Sequence, residues 1–243
     1  MLKEKRLPTN INVLITGHTA GLGFAIASHY LDDNARVFGL SRSFSKKKHP
    51  KLSEVKLDLS CHSDINPALE SFKLSEKQLD LVFLNAGELG EIKPLSESNL
   101  DDLQKTMDIN VWSNKYILDW LIQKCQKPKQ IILISSGASV NANYGWGAYS
   151  ISKACLNTMA KLYSHEFPNS HISAVAPGLV DTKMQKSLRE KNSTKFPSLK
   201  KMHSAYEKNQ LQSSQSTAKI LIGKLDEIFQ LNSGSYVDLR NFP

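Results

Sequence analysis

The stretch Thr16-Gly17-His18-Thr19-Ala20-Gly21-Leu22-Gly23 decides the fold of this 243-residue chain. It follows a short apolar run, 13–16, and precedes a segment, 25–31, with a helical pattern. Glycines permit a tight turn and let the backbone approach a diphosphate closely. A helix that begins near Gly21 would direct its free N–H groups at such an anion. The spacing is G-x-x-x-G-x-G, and on the glycines alone an ordinary tight turn remains an alternative. His18, inside the turn, could touch such a phosphate, but it is expected to be simply exposed.

Outward from this turn, predicted strands alternate with predicted helices. Further strands are expected at 37–40, 55–59, 81–84, 131–134, 172–176 and 236–239, and further helices at 64–73, 100–124, 147–165 and 216–229. The runs Leu-Val-Phe-Leu and Ile-Ile-Leu-Ile are continuously apolar, which is typical of parallel strands covered by helices on both faces. The sequence therefore predicts one α/β domain over 1–243, with a Rossmann-like, doubly wound parallel sheet of about seven strands.

The segment 183–213 interrupts this alternation because it is polar, rich in lysine and contains Pro197. A long segment of this kind fits an insertion that covers a ligand better than it fits a structureless loop.

Composition restricts the class of protein. The formal net charge is +8, but the lysines are spread, and there is no arginine-rich arm or RNA-binding aromatic motif. A phosphate-bearing cofactor explains the charge more simply than nucleic acid does. The three cysteines and seven histidines show no metal-ligand spacing, and no run approaches the roughly 20 apolar residues that span a bilayer. We therefore expect a reduced, soluble, cytoplasmic protein without a metal site.

The end of the second predicted strand indicates which cofactor binds. An acidic residue about 20 positions beyond the glycines would hold the ribose 2′-hydroxyl of NAD. This strand instead ends in Ser41-Arg42-Ser43. An arginine can pair with a 2′-phosphate and the serines can donate to it, although a surface arginine would look the same. The sequence thus predicts NADP(H).

The chemical centre is expected at Tyr149 and Lys153, which lie four apart on one helix face. A nearby ammonium favours the phenolate and so is expected to lower the pKa of tyrosine. A phenol tuned in this way can give a proton to a developing alkoxide. Tyrosine and lysine at this spacing are common by coincidence, so other residues must support them.

Supporting residues follow the predicted strands at their C-terminal ends, where a doubly wound sheet binds its ligands. Ser136 follows the fifth strand, Asn85-Ala86-Gly87 the fourth, and Pro177-Gly178 the sixth, with Thr182 close behind. Asn110 lies inside a predicted helix, where asparagine is unfavourable without a reason.

Together these motifs resemble the short-chain dehydrogenase/reductase family across essentially the whole chain. The resemblance implies that Tyr149 is the general acid, that Lys153 lowers its pKa and binds the nicotinamide ribose, and that Ser136 orients the carbonyl. It also implies that Asn110 supports a water-linked proton path. The implied cofactor contacts are Gly17, Gly21, Leu22, Gly23, Ser41, Arg42, Asp58, Leu59, Asn85, Ala86, Gly87, Tyr149, Lys153, Pro177, Gly178 and Thr182.

A narrower resemblance, to the sepiapterin reductases and bacterial benzil reductases of that family, rests on four segments: 85–90, 145–149, 177–185 and 233–238. In the sepiapterin reductases an aspartate at the position of Asp238 anchors the pterin ring, although a terminal acid is also commonly just solvated. Ala20 departs from the basic residue frequent in NADP-binding relatives, so the cofactor prediction depends mainly on Arg42.

The sequence thus predicts an NADPH-dependent reductase of ketones or diketones. The alternatives are a sepiapterin-type pterin reductase and, from another class, a non-catalytic NADP(H)-binding sensor. The apolar residues Trp112, Tyr116, Ile117, Trp120 and Leu121 fall on several faces of one helix, which indicates a core helix or the interface of a homodimer or homotetramer.

Overall fold

The computed structural model describes residues 11–125, 127–191 and 195–242. A seven-stranded parallel sheet forms its centre, in the order β3-β2-β1-β4-β5-β6-β9. Its strands are β1 (Asn12–Thr16), β2 (Arg36–Ser41), β3 (Leu52–Lys56), β4 (Leu81–Leu84), β5 (Gln130–Ile134), β6 (His171–Ala176) and β9 (Tyr236–Asp238). The predicted doubly wound fold is therefore confirmed.

Helices cover both faces of the sheet because side chains alternate along each strand. Leu14 and Val82 pack under α2, α4 and α6, whereas Val13 and Ile15 pack under α1, α9 and α10. The helices are α1 (Gly21–Asp32), α2 (Ile65–Ser71), α3 (Leu100–Met107), α4 (Ser113–Lys124), α5 (Ala138–Asn141), α6 (Gly147–Glu166), α7 (Lys183–Arg189), α8 (Pro197–Glu207), α9 (Ser214–Gly223) and α10 (Leu225–Phe229).

The third strand lies three residues earlier than predicted. Val55, Leu57 and Leu59 alternate with polar residues, which suggested a strand to position 59. Pairing with β2 ends at Ser41 opposite Lys56, and the chain then turns because the Asp58 carboxylate accepts hydrogen bonds from Ser60. Leu57 and Leu59 are buried beyond the end of the strand.

The helix predicted over 100–124 is interrupted. A π-helical turn, Asp108–Trp112, separates α3 from α4 and contains Asn110. The segment 183–213 holds α7, α8 and a two-residue strand, β8 (Gln212–Ser213), which pairs in parallel with β7 (Val180–Asp181). Across residues 11–125, 127–191 and 195–242, no helix has the length and apolar character needed to cross a membrane.

The strand order reverses beside β1, which pairs with β2 on one side and with β4 on the other. The connections from these strands leave toward opposite faces, so a crevice opens outside their C-terminal ends.

Candidate active site

A cleft of about 570 Å³ occupies this crevice. Most of the predicted site residues line it: Gly17, Gly21, Leu22, Ser41, Arg42, Asp58, Leu59, Asn85, Ala86, Gly87, Ser136, Tyr149, Lys153, Pro177, Gly178 and Thr182. Gly23, Asn110 and Asp238 were also predicted and do not line it.

The glycine turn forms one wall of the cleft. Gly17 and Gly21 have φ values of +72° and +53°, a backbone region that residues other than glycine rarely adopt. Gly23 packs so closely on the turn that an added Cβ would lie 2.3 Å from the Gly17 carbonyl oxygen. Ala20 precedes α1 in extended conformation and provides no side-chain cap, so the first N–H groups of α1 are available to an anion.

The loop after β2 forms the adjoining wall. Thr19 Oγ1, in the glycine turn, lies 2.9 Å from Ser41 Oγ, and Ser43 Oγ donates to the same Thr19 oxygen. Arg42 is exposed at the cleft. Hydrogen bonds from Ser60 hold the pKa of Asp58 below its usual range, and the nearby Arg42 guanidinium adds to this effect. The loop therefore presents a cation, two hydroxyls and no carboxylate at the end of β2.

Tyr149 and Ser136 meet at the floor of the cleft. Tyr149 lies in the first turn of α6, and Ser136 follows β5. The Ala138 N–H donates to Ser136 Oγ at 3.1 Å, which orients the serine hydroxyl. Burial raises the pKa of Tyr149, and a hydrogen bond with Ser136 only partly opposes this effect. The expectation of a lowered tyrosine pKa is therefore wrong in direction for this structure.

Lys153 lies close to Tyr149 but is itself buried. Its Nζ lies 5.6 Å from the centroid of the Tyr149 ring and donates to the Ile134 carbonyl oxygen at 2.7 Å. Burial lowers the pKa of Lys153 to about 8. The ammonium thus lies one helical turn below the phenol, yet the same burial that raises the tyrosine pKa also disfavours the lysine charge.

Asn110 lies behind the cleft rather than in it. Its side-chain amide donates to the Glu88 carbonyl and to Ser152 Oγ, and its Oδ1 accepts from the Glu88 N–H at 2.8 Å. Asn114 donates to the Asn110 carbonyl oxygen at 2.7 Å. Asn110 therefore ties the loop after β4 to α6. Its part in a water-linked proton path stays a prediction.

Asp238 is engaged by a residue that the sequence reasoning missed. Arg240 donates to the Asp238 carboxylate through its backbone N–H and through Nε at 2.9 Å. The hydrogen bonds from Arg240 hold the pKa of Asp238 low. An added Cβ at Gly178 would lie 3.1 Å from the Arg240 side chain, which places the pair behind the Pro177–Gly178 loop. The Asp238 carboxylate is therefore paired with Arg240 and does not line the cleft.

The apolar half of the cleft was also missed as a site. Trp146, Leu89, Met184, Leu188 and Met202 line the cleft on the same side as Tyr149 and belong to one apolar cluster. Met184 and Leu188 come from α7, and Met202 comes from α8. Both helices lie within the segment predicted to cover a ligand. Hydrophobic residues in a lysine-rich segment gave little indication of this role.

Comparisons with known proteins agree with this geometry. The profile of the short chain dehydrogenase family matches residues 11–193. A benzil reductase ((S)-benzoin forming) of Saccharomyces cerevisiae is 32% identical over 196 residues, covering 73% of this chain and 74% of that protein. A benzil reductase of Bacillus subtilis is 29% identical over 94% of this chain and 98% of that protein. The crystal structure of a Saccharomyces cerevisiae short chain dehydrogenase/reductase, 28% identical, superposes with a TM-score of 0.87 over 96% of this chain and 97% of that one. The chain therefore belongs to the short-chain dehydrogenase/reductase family, whose members are oxidoreductases that bind nicotinamide cofactors.

Proposed function

We propose that this protein is an NADPH-dependent carbonyl reductase that acts on ketones or diketones. The observation that carries the proposal is the Tyr149 hydroxyl, which is hydrogen-bonded to Ser136 at the floor of the cleft with Lys153 one helical turn below. The adjoining glycine turn supports a cofactor, since no side chain caps the start of α1 and its first N–H groups are available to a diphosphate.

The cofactor would be NADPH, with its diphosphate at the glycine turn and the start of α1 and its 2′-phosphate at Arg42 and the adjacent serines. Arginine pairs strongly with phosphate, and no carboxylate stands at the end of β2 to bind a free ribose hydroxyl. When bound, NADPH supplies a hydride to the carbonyl carbon of the substrate.

The protein's own residues would supply the proton. Ser136 and Tyr149 would both hydrogen-bond to the carbonyl oxygen, and the Tyr149 hydroxyl would give it a proton as alkoxide character develops. Because burial raises the tyrosine pKa, the phenol stays protonated and available as a donor at neutral pH. The Lys153 ammonium would then stabilise the phenolate that remains.

The substrate would carry an aryl group beside its carbonyl. Trp146, Met184 and Met202 give the cleft an apolar, adaptable wall next to Tyr149. The relatives named benzil reductases support a diketone of this kind. We also propose that the segment 183–213 covers the substrate and excludes water from the hydride path, because α7 and α8 contribute part of this wall.

The test is NADPH oxidation with a panel of aryl ketones, benzil-type diketones and pterin side-chain ketones. Tyr149→Phe should abolish most turnover and leave NADP⁺ binding intact, because the hydroxyl is needed only where the alkoxide forms. Tyr144→Phe is the matched control, since Tyr144 is 60% exposed and is not among the cleft-lining residues. Tight cofactor binding without turnover of any carbonyl would favour the non-catalytic sensor instead.

A further inference from the structure

His18, which lies inside the glycine turn, is buried and not exposed as the sequence suggested. Only 1% of its surface is accessible. Its ring packs against the second strand at Gly39, where an added Cβ would lie 2.5 Å from the imidazole. Glycine at position 39 therefore makes room for the histidine, whose ring lies over β2.

The ring reaches across β2 to the edge strand. His18 Nε2 lies 2.9 Å from Glu54 Oε2, and the same carboxylate oxygen accepts the Ser45 N–H at 2.7 Å. Because the carboxylate can only accept, Nε2 carries the proton. His18 Nδ1 is buried without a hydrogen-bond partner in the described part of the chain, and the imidazole bridges to Glu54 through Nε2 alone.

These contacts fix both ends of the loop 41–45. At its start, Ser41 Oγ lies 2.9 Å from Thr19 Oγ1 of the glycine turn. At its end, the Ser45 amide is bound by Glu54, which is itself bound by His18 of the same turn. The loop that carries Arg42 is thus tied at two points to the turn that faces the cofactor diphosphate.

We propose that His18 and Glu54 are positioning residues for cofactor selectivity. They hold the loop 41–45 so that Arg42 faces the 2′-phosphate while the glycine turn faces the diphosphate. Neither residue lines the cleft, so both act through Arg42. The inference rests on the proposed NADPH dependence. It attributes the preference for a phosphorylated ribose to the buried hydrogen bond between His18 and Glu54 as well as to Arg42 itself.

The test compares the dissociation constants of NADP⁺ and NAD⁺ by calorimetry, which needs no carbonyl substrate. Glu54→Leu removes the acceptor for both His18 and Ser45, and it should weaken NADP⁺ about tenfold, the size of one charge-assisted hydrogen bond, while NAD⁺ changes less than about twofold. Glu54→Gln keeps an oxygen that can accept both bonds, and it should restore NADP⁺ binding. Lys48→Met is the control, because it removes the outer ion pair of Glu54, at 3.5 Å, and the contact of Lys48 with the Phe44 ring, but leaves the bonds of Glu54 with His18 and Ser45 in place.

Gly39→Ala provides a second variant if Glu54→Leu fails to fold. Its methyl group would displace the His18 ring, so NADP⁺ should again be weakened more than NAD⁺. Equal weakening of both cofactors would show a merely structural role, and unchanged dissociation constants for both would show no role, so either result overturns the inference. Unaltered protein that binds both cofactors equally would instead overturn the proposed NADPH preference.

Discussion

Replacing Gly23 with alanine tests whether the glycine turn needs its close backbone packing. The new Cβ would lie 2.3 Å from the Gly17 carbonyl oxygen and 2.4 Å from the Asn85 side-chain nitrogen. Neither neighbour can move freely, because Gly17 N–H donates to the Leu40 carbonyl at 2.8 Å and Asn85 donates to the Thr16 carbonyl at 3.0 Å. Relief of the clash therefore needs a shift of about 1 Å in the turn itself, since ordinary contacts start near 3.4 Å.

Overpacking of this kind costs about 1–3 kcal/mol of unfolding free energy. For a chain of this size, that cost lowers Tm by about 2–12 °C. A turn displaced by about 1 Å should also bind NADP⁺ at least tenfold more weakly, because its N–H groups no longer face the diphosphate. Thermal unfolding followed by circular dichroism measures the first effect, and calorimetric titration of NADP⁺ measures the second.

Gly223→Ala is the matched control. Gly223 is the last residue of α9, and an added Cβ would meet no described atom within 4 Å. This change should raise stability by about 0.5–1 kcal/mol, because alanine loses less backbone entropy than glycine in a helix. A Gly23→Ala protein with unchanged Tm and unchanged NADP⁺ affinity would refute the argument that the turn is closely packed for its function.

Four other predictions concern the cleft and the surface. Arg42→Ala should raise the dissociation constant of NADP⁺ about 10- to 100-fold and spare that of NAD⁺, and equal effects on both would count against a phosphate contact. Burial lowers the pKa of Lys153 to about 8, so the rate of carbonyl reduction should hold steady below this pH and fall about tenfold per unit above it as the ammonium is lost. A rate that stays flat well above pH 9 would show that this charge is not needed. Asp238→Asn should leave diketone kinetics unchanged, and a selective rise in KM for pterins would instead support the hypothesis of a pterin reductase. Light scattering should show at least twice the 27.2 kDa chain mass, because Trp112 and Tyr116 remain 37% and 42% exposed; a clean monomer would contradict this.

The sheet and most of the cleft could be predicted because they depend on local patterns. Apolar runs mark the buried strands, and residues that follow parallel strands meet at one edge of the sheet, so Ser136, Asn85 and Pro177 could be placed together. The ends of β3 could not be predicted, because the alternating apolar residues continue to Leu59 while the strand pairing stops at Lys56.

The remaining errors concern residues whose contacts or burial depend on parts of the chain that are distant in sequence. His18 is polar and lies in a turn, yet its burial depends on Glu54, 36 residues away, and on the missing side chain of Gly39. The direction of the Tyr149 pKa shift depends on how deeply both it and Lys153 are buried, which spacing along a helix does not reveal. Asn110 could be singled out, but its bonds to Glu88 required the fold.

The hydrogen bond from Trp146 Nε1 to Ser198 Oγ, 2.7 Å long, joins the beginning of α6 to α8. Trp146 also borders the apolar half of the cleft, three positions before Tyr149. Any outward movement of α8 must break this bond and expose the indole to water, which shifts the emission of tryptophan. The emission of Trp146 would therefore report any movement of α8 that accompanies substrate entry. With Trp112 and Trp120 replaced by phenylalanine, the fluorescence of a single indole would follow that movement in real time.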